Sequence, residues 1–418
     1  MPPHLEKTKL SDAIAALKFR DFRRFWFAGL ASNSGGWLQG LASPFIMYEM
    51  TQSGAWVGTS VFALMIPMAL VGPFAGPMAD RLSRRRILLI CEIFLGVIAS
   101  TNAVFWWAGI REPLAYIGIN VIYGVANGFA LPAWQAYVAD LVPRNVLMNA
   151  ITLNSTQFNA ARAIGPSLGG VLLAFSGPGW AFLGNGISFF IVFFTLLTLP
   201  ATAPSPLAGR KDSQLSQFAK GWAYAKTQKT IMTGYAAAAL VAVLGAPLIQ
   251  VHIILFIERV FEASEVKFGL LMSVYGIGAV SIAPWLAAFG TKFKKSNLLV
   301  SSFVLYGLGE LLLVSTRNYT VGLISIFIVG CAHLIMATTT NTTLQLYVPE
   351  PVRGRVMAMY LMVFTIGAPL GSIIQGPLAD RFGPRWIVAA MGCSFLIFAG
   401  IFVISGSAAN YDFEEAEH

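Results

Sequence analysis

Charge is what this chain has least of. Of its 418 residues only 11% are Asp, Glu, Lys or Arg, against about 25% in an ordinary soluble domain. That is too little polar surface to coat a body in water. A water-soluble globular protein is excluded, and lipid must be part of the solvent. The net charge of +9 would suggest nucleic acid if it formed one basic face. Here the cations sit in short clusters between apolar runs, a membrane-topology pattern, so no nucleic-acid partner is expected. Cysteine is scarce: Cys91, Cys331 and Cys393 all fall within apolar runs, and no disulfide or metal framework is suggested. The stretch MPPHLEKTKLSDAIAALKFRDFRRF lacks a short apolar core followed by a small-residue cleavage site, so no removable signal peptide is expected. A phosphate-binding loop is missing too, which excludes direct ATP coupling in this chain. No paired carboxylates share a face and no nucleophile stands with a base. Neither an enzyme nor a cofactor or metal is expected.

What fills the chain instead is apolar sequence, 56% of residues, in runs long enough to cross a bilayer at roughly 20 residues each. Twelve spans are predicted, at 25–48, 56–78, 87–109, 114–138, 150–175, 179–199, 231–256, 267–289, 297–316, 320–345, 356–378 and 385–406. The fifth and tenth carry the most polar residues. One long polar break, Ala201 to Lys229, splits the chain into two sets of six. The expected organisation is a cytoplasmic segment 1–24, a six-helix bundle 25–200, a cytoplasmic linker 201–229, a second bundle 230–406 and an acidic cytoplasmic tail 407–418. The N-terminus and even-numbered loops hold 21 Lys and Arg and the odd-numbered loops six. That bias places both termini and the linker in the cytoplasm of a cell-membrane protein.

The halves resemble each other. SGAWVG (Ser53–Gly58) parallels SEVKFG (Ser264–Gly269), SGPGW (Ser176–Trp180) parallels FGPRW (Phe382–Trp386), and VPRN (Val142–Asn145) parallels VPEP (Val348–Pro351). A six-plus-six parallel repeat is one way secondary transporters are built. A second kind of likeness crosses the repeat. GPMADRLSRRR (Gly76–Arg86) and GPLADRFGPR (Gly376–Arg385) share Gly-Pro-x-Ala-Asp-Arg. They fall on opposite faces, so they cannot be one device at one face. The repeat-equivalent of Gly76–Arg86 is AAFGTKFKKSN (Ala287–Asn297), which keeps the basic cluster and loses the acid.

On these residues the chain resembles the major facilitator superfamily. Gly76, Asp80, Arg81, Arg84 and Arg85 fit that family's loop signature G-x3-D-[RK]-x-G-[RK]-[RK], with Ser83 where Gly is usual. GPSLGG, holding Gly165, Pro166, Gly169 and Gly170, resembles the fifth-helix signature of its antiporters, with Ala161 in place of a preceding Gly. The fourth-helix Arg common in proton-coupled drug exporters is missing from NVIYGVANGFALPAW (Asn120–Trp134). The texture from Phe22 onward resembles the branch holding siderophore exporters and macrolide efflux proteins. The resemblance implies an all-α membrane protein of twelve helices in two pseudo-symmetric bundles that rock about a central site. It also implies that spans three, six, nine and twelve face lipid.

Candidate residues follow, each against a plainer alternative. The resemblance makes Asp80 with Arg84 or Arg85 a cytoplasmic latch; otherwise the arginines only anchor orientation. Arg162 lies inside the fifth span, where a lone cation is costly. It either reads an anionic substrate or is satisfied structurally. Proton-coupling candidates are Glu310, His252 and His333. A ninth-span position suggests instead that Glu310 pairs locally or snorkels, and the histidines could be satisfied core residues. Candidate cavity residues are Asn33, Gln39, Asn127, Trp134, Asn159, Arg162, Gln250, His252, His333, Thr340 and Asn341, any of which could instead be interhelical glue. The leading function is a secondary exporter of an amphipathic small molecule, siderophore or drug, in exchange for protons. A lysolipid transporter or importer of the same fold is the alternative, and a non-transporting membrane sensor ranks below both. A monomer is expected.

Overall fold

The structure, a computed structural model, describes residues 14–201 and 214–412, apart from a few side chains inside helices. Residues 1–13, 202–213 and 413–418, which hold much of the expected terminal segment, linker and tail, lie outside the described residues. The described chain is helical. A 3-10 turn at Ala15–Lys18 is followed by α1 (Arg20–Thr51), α2 (Gly54–Arg81), α3 (Arg84–Trp107), α4 (Pro113–Asp140), α5 (Leu147–Ser176) and α6 (Pro178–Leu197). Then come α7 (Gln214–Thr227), α8 (Lys229–Leu240) and α9 (Ile253–Arg259), with α10 (Glu265–Phe289) after them. The chain closes with α11 (Lys295–Ser315), α12 (Tyr319–Tyr347), α13 (Glu350–Phe382), α14 (Pro384–Ile404) and α15 (Ser407–Tyr411). Two π-helical segments, Val241–Gly245 and Leu248–His252, join α8 to α9. Lys229–Arg259 is therefore one helical stretch, the expected seventh span.

Each of the twelve predicted spans has its helical stretch. Among the described residues, ten of these are long and apolar enough to cross a membrane. The tenth span, α12, is one of them despite its polar residues. The first and fifth, α1 and α5, run 32 and 30 residues and are not among those ten, several α5 side chains lying outside the described residues. Both carry polar residues that a helix enclosed by other helices can keep and a lipid-bathed one cannot. Gln39 of α1, for example, is buried and bonded to Asn185 of α6. Outside the packed faces, large apolar side chains are bare: Phe175 is 82% exposed, Trp386 74% and Ile404 87%. Such a surface is at home in hydrocarbon.

The chain forms two compact units, Met1–Ala42 with Leu70–Arg210, and Ser43–Ala69 with Lys211–His418. In the first, α3 packs along α6 and α4, and α5 packs against α4 and α6. In the second, α11 packs along α14 and α12, and α10 packs along α12. The pairing of spans three with four and six thus recurs as nine with ten and twelve. The backbone repeats as well. Gly177 and Gly383 have φ of +80° and +86°, each followed by a proline that opens the next helix. Glycine adopts that conformation freely and proline fits the first helical turn, so Gly-Pro fixes the same corner twice. Small residues also let the helices touch. A Cβ at Gly330 would meet the Tyr275 carbonyl oxygen at 2.1 Å, which no side chain could tolerate. This close approach of α12 to α10 is the usual substitute for hydrophobic drive between membrane helices.

The second unit takes in residues 43–69, the end of α1 and the start of α2, which the sequence places in the first bundle.

Candidate functional site

Among the described residues, polar side chains that join helices stand out in three places. The first is in the second unit, where the π-helical segments sit. Turns of this kind leave carbonyls without their usual partners, and such segments are common at functional sites. Gln375 of α13 donates Nε2 to the Val243 carbonyl (2.7 Å), while its Oε1 meets His252 Nε2 at 2.9 Å. One turn away, Ser372 Oγ donates to Gln250 Oε1 (3.0 Å), and Gln250 Nε2 points at Met65 Sδ of α2 (3.4 Å). His252 is fully buried and its Nδ1 has no hydrogen-bond partner among the described residues. The sequence named Gln250 and His252. It missed Ser372 and Gln375, which stand three residues apart on α13 and so share a face.

The second place is the end of that unit where α1 turns into α2. Asp380, near the end of α13, accepts from Ser53 Oγ (2.6 Å), from the Gly54 and Ala55 amides (2.8 and 2.9 Å) and from Arg259 Nη2 (2.9 Å). Arg259 also donates to the Gln52 carbonyl (2.6 Å) and to Tyr48 Oη (3.0 Å). Residues 48–55 are thus held by both members of one ion pair, which explains why 43–69 pack with the second unit. No expectation named Asp380 or Arg259 as a site residue. The repeated Gly-Pro-x-Ala-Asp-Arg was the available signal.

The third place lies in the first unit. Arg84 donates Nη1 to Asp140 Oδ1 (2.6 Å) and to the Ala136 carbonyl (3.3 Å), fastening α3 to the end of α4. Arg85 donates Nε and Nη2 to the Leu196 and Leu197 carbonyls, closing the C-terminus of α6. Both arginines of the expected latch therefore have partners within their own unit. Gly76 is open on its Cα face, and the side chains of Asp80 and Arg81 lie outside the described residues.

The other expected residues scatter. Asn33 is half-buried. Asn127 donates to the carbonyl one turn back, at Tyr123 (3.3 Å). Trp134 donates to Asn154 (3.2 Å) and lies against Phe25. Thr340 is buried near Met336 Sδ, and Asn341 accepts from Gln345 on its own helix. His333 Nδ1 meets Tyr306 Oη at 2.7 Å. Gly165 and Gly169 are close-packing positions, since a Cβ would strike Trp37 at 2.6 Å and Leu41 at 2.7 Å. Gly170 is buried beside them in sequence. The side chains of Asn159, Arg162 and Pro166 lie outside the described residues. Glu310 corrects the expectation of local pairing or snorkelling. It is fully buried in α11, and neither carboxyl oxygen has a hydrogen-bond partner among the described residues. Glu92 of α3 is buried likewise in the first unit.

Long apolar helices that enclose a few polar clusters define a multi-pass membrane protein. The chain belongs to the transmembrane secretion effector family of the major facilitator superfamily, whose family model matches residues 11–415. It is similar to a staphyloferrin A transporter of Staphylococcus aureus, 24% identical over 396 residues, covering 92% of this chain and 96% of that one. It is similar also to an enterobactin exporter of Citrobacter koseri, 25% identical, covering 90% and 89%. Among solved structures, a nucleoside transporter superposes with a TM-score of 0.73 at 17% identity, covering 94% and 100%. A bacterial homologue of the human lysosomal transporter Spinster, inward-facing and unoccupied, superposes with 0.73 at 16% identity, covering 98% and 100%. These structures share the fold.

Proposed function

We propose that this transporter exports an amphipathic small molecule of siderophore-like or drug-like chemistry, by alternating access and in exchange for protons, with both termini in the cytoplasm. The observation that carries the reading is the cluster in which Gln250 and His252, on a π-helical turn of the seventh span, meet Ser372 and Gln375 of α13. Broken helices at membrane depth are tolerated where they line a cavity. Amide, hydroxyl and imidazole groups set in otherwise apolar helices suit a ligand with both polar and apolar faces. The export direction draws on the relative named as an enterobactin exporter and on the GPSLGG segment. For coupling, Glu310, His252 and His333 are the candidate proton carriers.

The test uses inverted membrane vesicles made from cells producing the chain. Labelled catecholate and hydroxycarboxylate siderophores and a cationic dye are offered with and without an acidic interior. Accumulation that rises with the gradient and disappears in Glu310→Gln or His252→Ala is the expected result. Accumulation only in right-side-out vesicles, or of a lysolipid alone, would replace this reading with the importer.

A further inference from the structure

The ends of α2 and α13 carry the same six-residue pattern, and the structure reveals what one copy does. A helix begins with amide N–H groups that have no partner within it and a partial positive charge. At α2 those amides are met by a carboxylate from far along the chain: Asp380 lies 326 residues beyond Gly54 and 325 beyond Ala55. The carboxylate also takes the Ser53 hydroxyl and the Arg259 guanidinium. Glycine makes the approach possible. A Cβ at Gly58 would strike the Ser372 carbonyl oxygen at 2.2 Å, and one at Gly376 would strike the Gly54 carbonyl oxygen at 2.2 Å. Below this contact, about two turns or ~10 Å along the seventh span, lies the His252–Gln375 cluster.

We propose that Asp380 and Arg259 are gate residues. They clamp the α1–α2 corner, residues 48–55, onto the second bundle at the outer face, shut the path from the polar cluster to that side, and must release it once in every transport cycle. The features suit a latch better than a permanent staple. Both side chains of the pair are 27% exposed, so water can compete for them. The acceptor charge is shared among donors from a turn that contains Gln52 at φ +53°. The same residues that make the contact close, Gly54, Gly58 and Gly376, bury no side chain of their own on parting. The proposal rests on the transport reading for its cycle, while the clamp itself is measurable without any substrate.

Two measurements on the full chain in lipid nanodiscs and proteoliposomes decide it. The first is amide hydrogen exchange over residues 48–58. Asp380→Asn is expected to speed exchange at Gly54 and Ala55 at least ten-fold. Arg259→Lys should give a smaller rise. The charge swap of Asp380→Arg with Arg259→Asp should not restore protection, because arginine cannot accept from helix amides. Unchanged exchange in Asp380→Asn, or full restoration by the swap, overturns the capping clamp. The second joins Ser53→Cys to Asp380→Cys by oxidation. Transport is expected to fall at least ten-fold against the same protein reduced, and to return with reductant. Equal rates oxidised and reduced overturn the requirement for release. A chain that transports nothing in any form, yet exchanges as described, would refute the export reading and leave the clamp standing.

Discussion

At the scale of single residues, the polar groups of this protein divide by whether a partner lies nearby. Arg84 and Asp140 are 16% and 24% exposed and bonded at 2.6 Å. Removing one partner leaves a largely enclosed charge, at a cost of about 1–3 kcal/mol. Asp140→Asn is therefore expected to lower the thermal midpoint in detergent by several degrees and to reduce membrane abundance, with Asp140→Glu milder. An unchanged midpoint would make the pair ornamental. Gln375→Leu removes the partners of His252 and of the Val243 carbonyl together, and transport is expected to fall at least ten-fold while abundance stays within two-fold of the parent. Arg162 follows from sequence alone. If it reads an anion, Arg162→Gln raises KM more for acidic substrates than for neutral ones, and equal losses in a paired assay would favour a structural role. Asp380 contributes through an exposed ion pair worth ~0–1 kcal/mol and a helix cap worth ~1 kcal/mol. Sums of that size suit a latch, since they bias a balanced two-state equilibrium without freezing it.

At the scale of elements, close approach does most of the organising. α12 and α10 touch at Gly330 and Gly278, and α11 and α14 at Gly307 and Gly392. Gly330→Leu must push two backbones apart, and it is expected to leave little folded protein in a size-exclusion assay. Leucine at Gly354, where a Cβ would meet nothing, should be tolerated. Element positions were legible in the sequence because apolar length and Gly-Pro corners are local properties. SGPGW and FGPRW foretold two corners of similar φ. The site was legible only in part. Gln250 and His252 stood out as polar residues in an apolar run. Gln375 and Ser372 did not stand out, because their role depends on α13 lying beside the π-helical turns. Arg259 looked like one of a few cations in the odd-numbered loops. Its partner is 121 residues away in sequence, and no periodicity reports such a pairing. Glu310 was misjudged for a related reason, because a helix expected to face lipid can still bury one face against its neighbours, here α12 and α14.

At the scale of the whole molecule, the repeat and the shared hexapeptide describe two different symmetries. The repeat relates the bundles as copies. The hexapeptide relates α2 and α13 as opposites, each ending in Gly-Pro-x-Ala-Asp-Arg. Asp380 closes on the start of α2. The resemblance assigns Asp80 to a latch at the other face. If both proposed latches act, at opposite faces, alternating access takes a simple energetic form in which one opens as the other closes. The measurement that tests this most directly is the distance between spin labels at both faces of the protein in nanodiscs. One pair is placed by Gln52→Cys and Arg381→Cys, the other by Arg86→Cys and Arg355→Cys, in the parent and in Asp380→Asn. The account predicts that Asp380→Asn lengthens the first distance and shortens the second within the same population. Lengthening at both faces, or a change at one face with the other fixed, would contradict it.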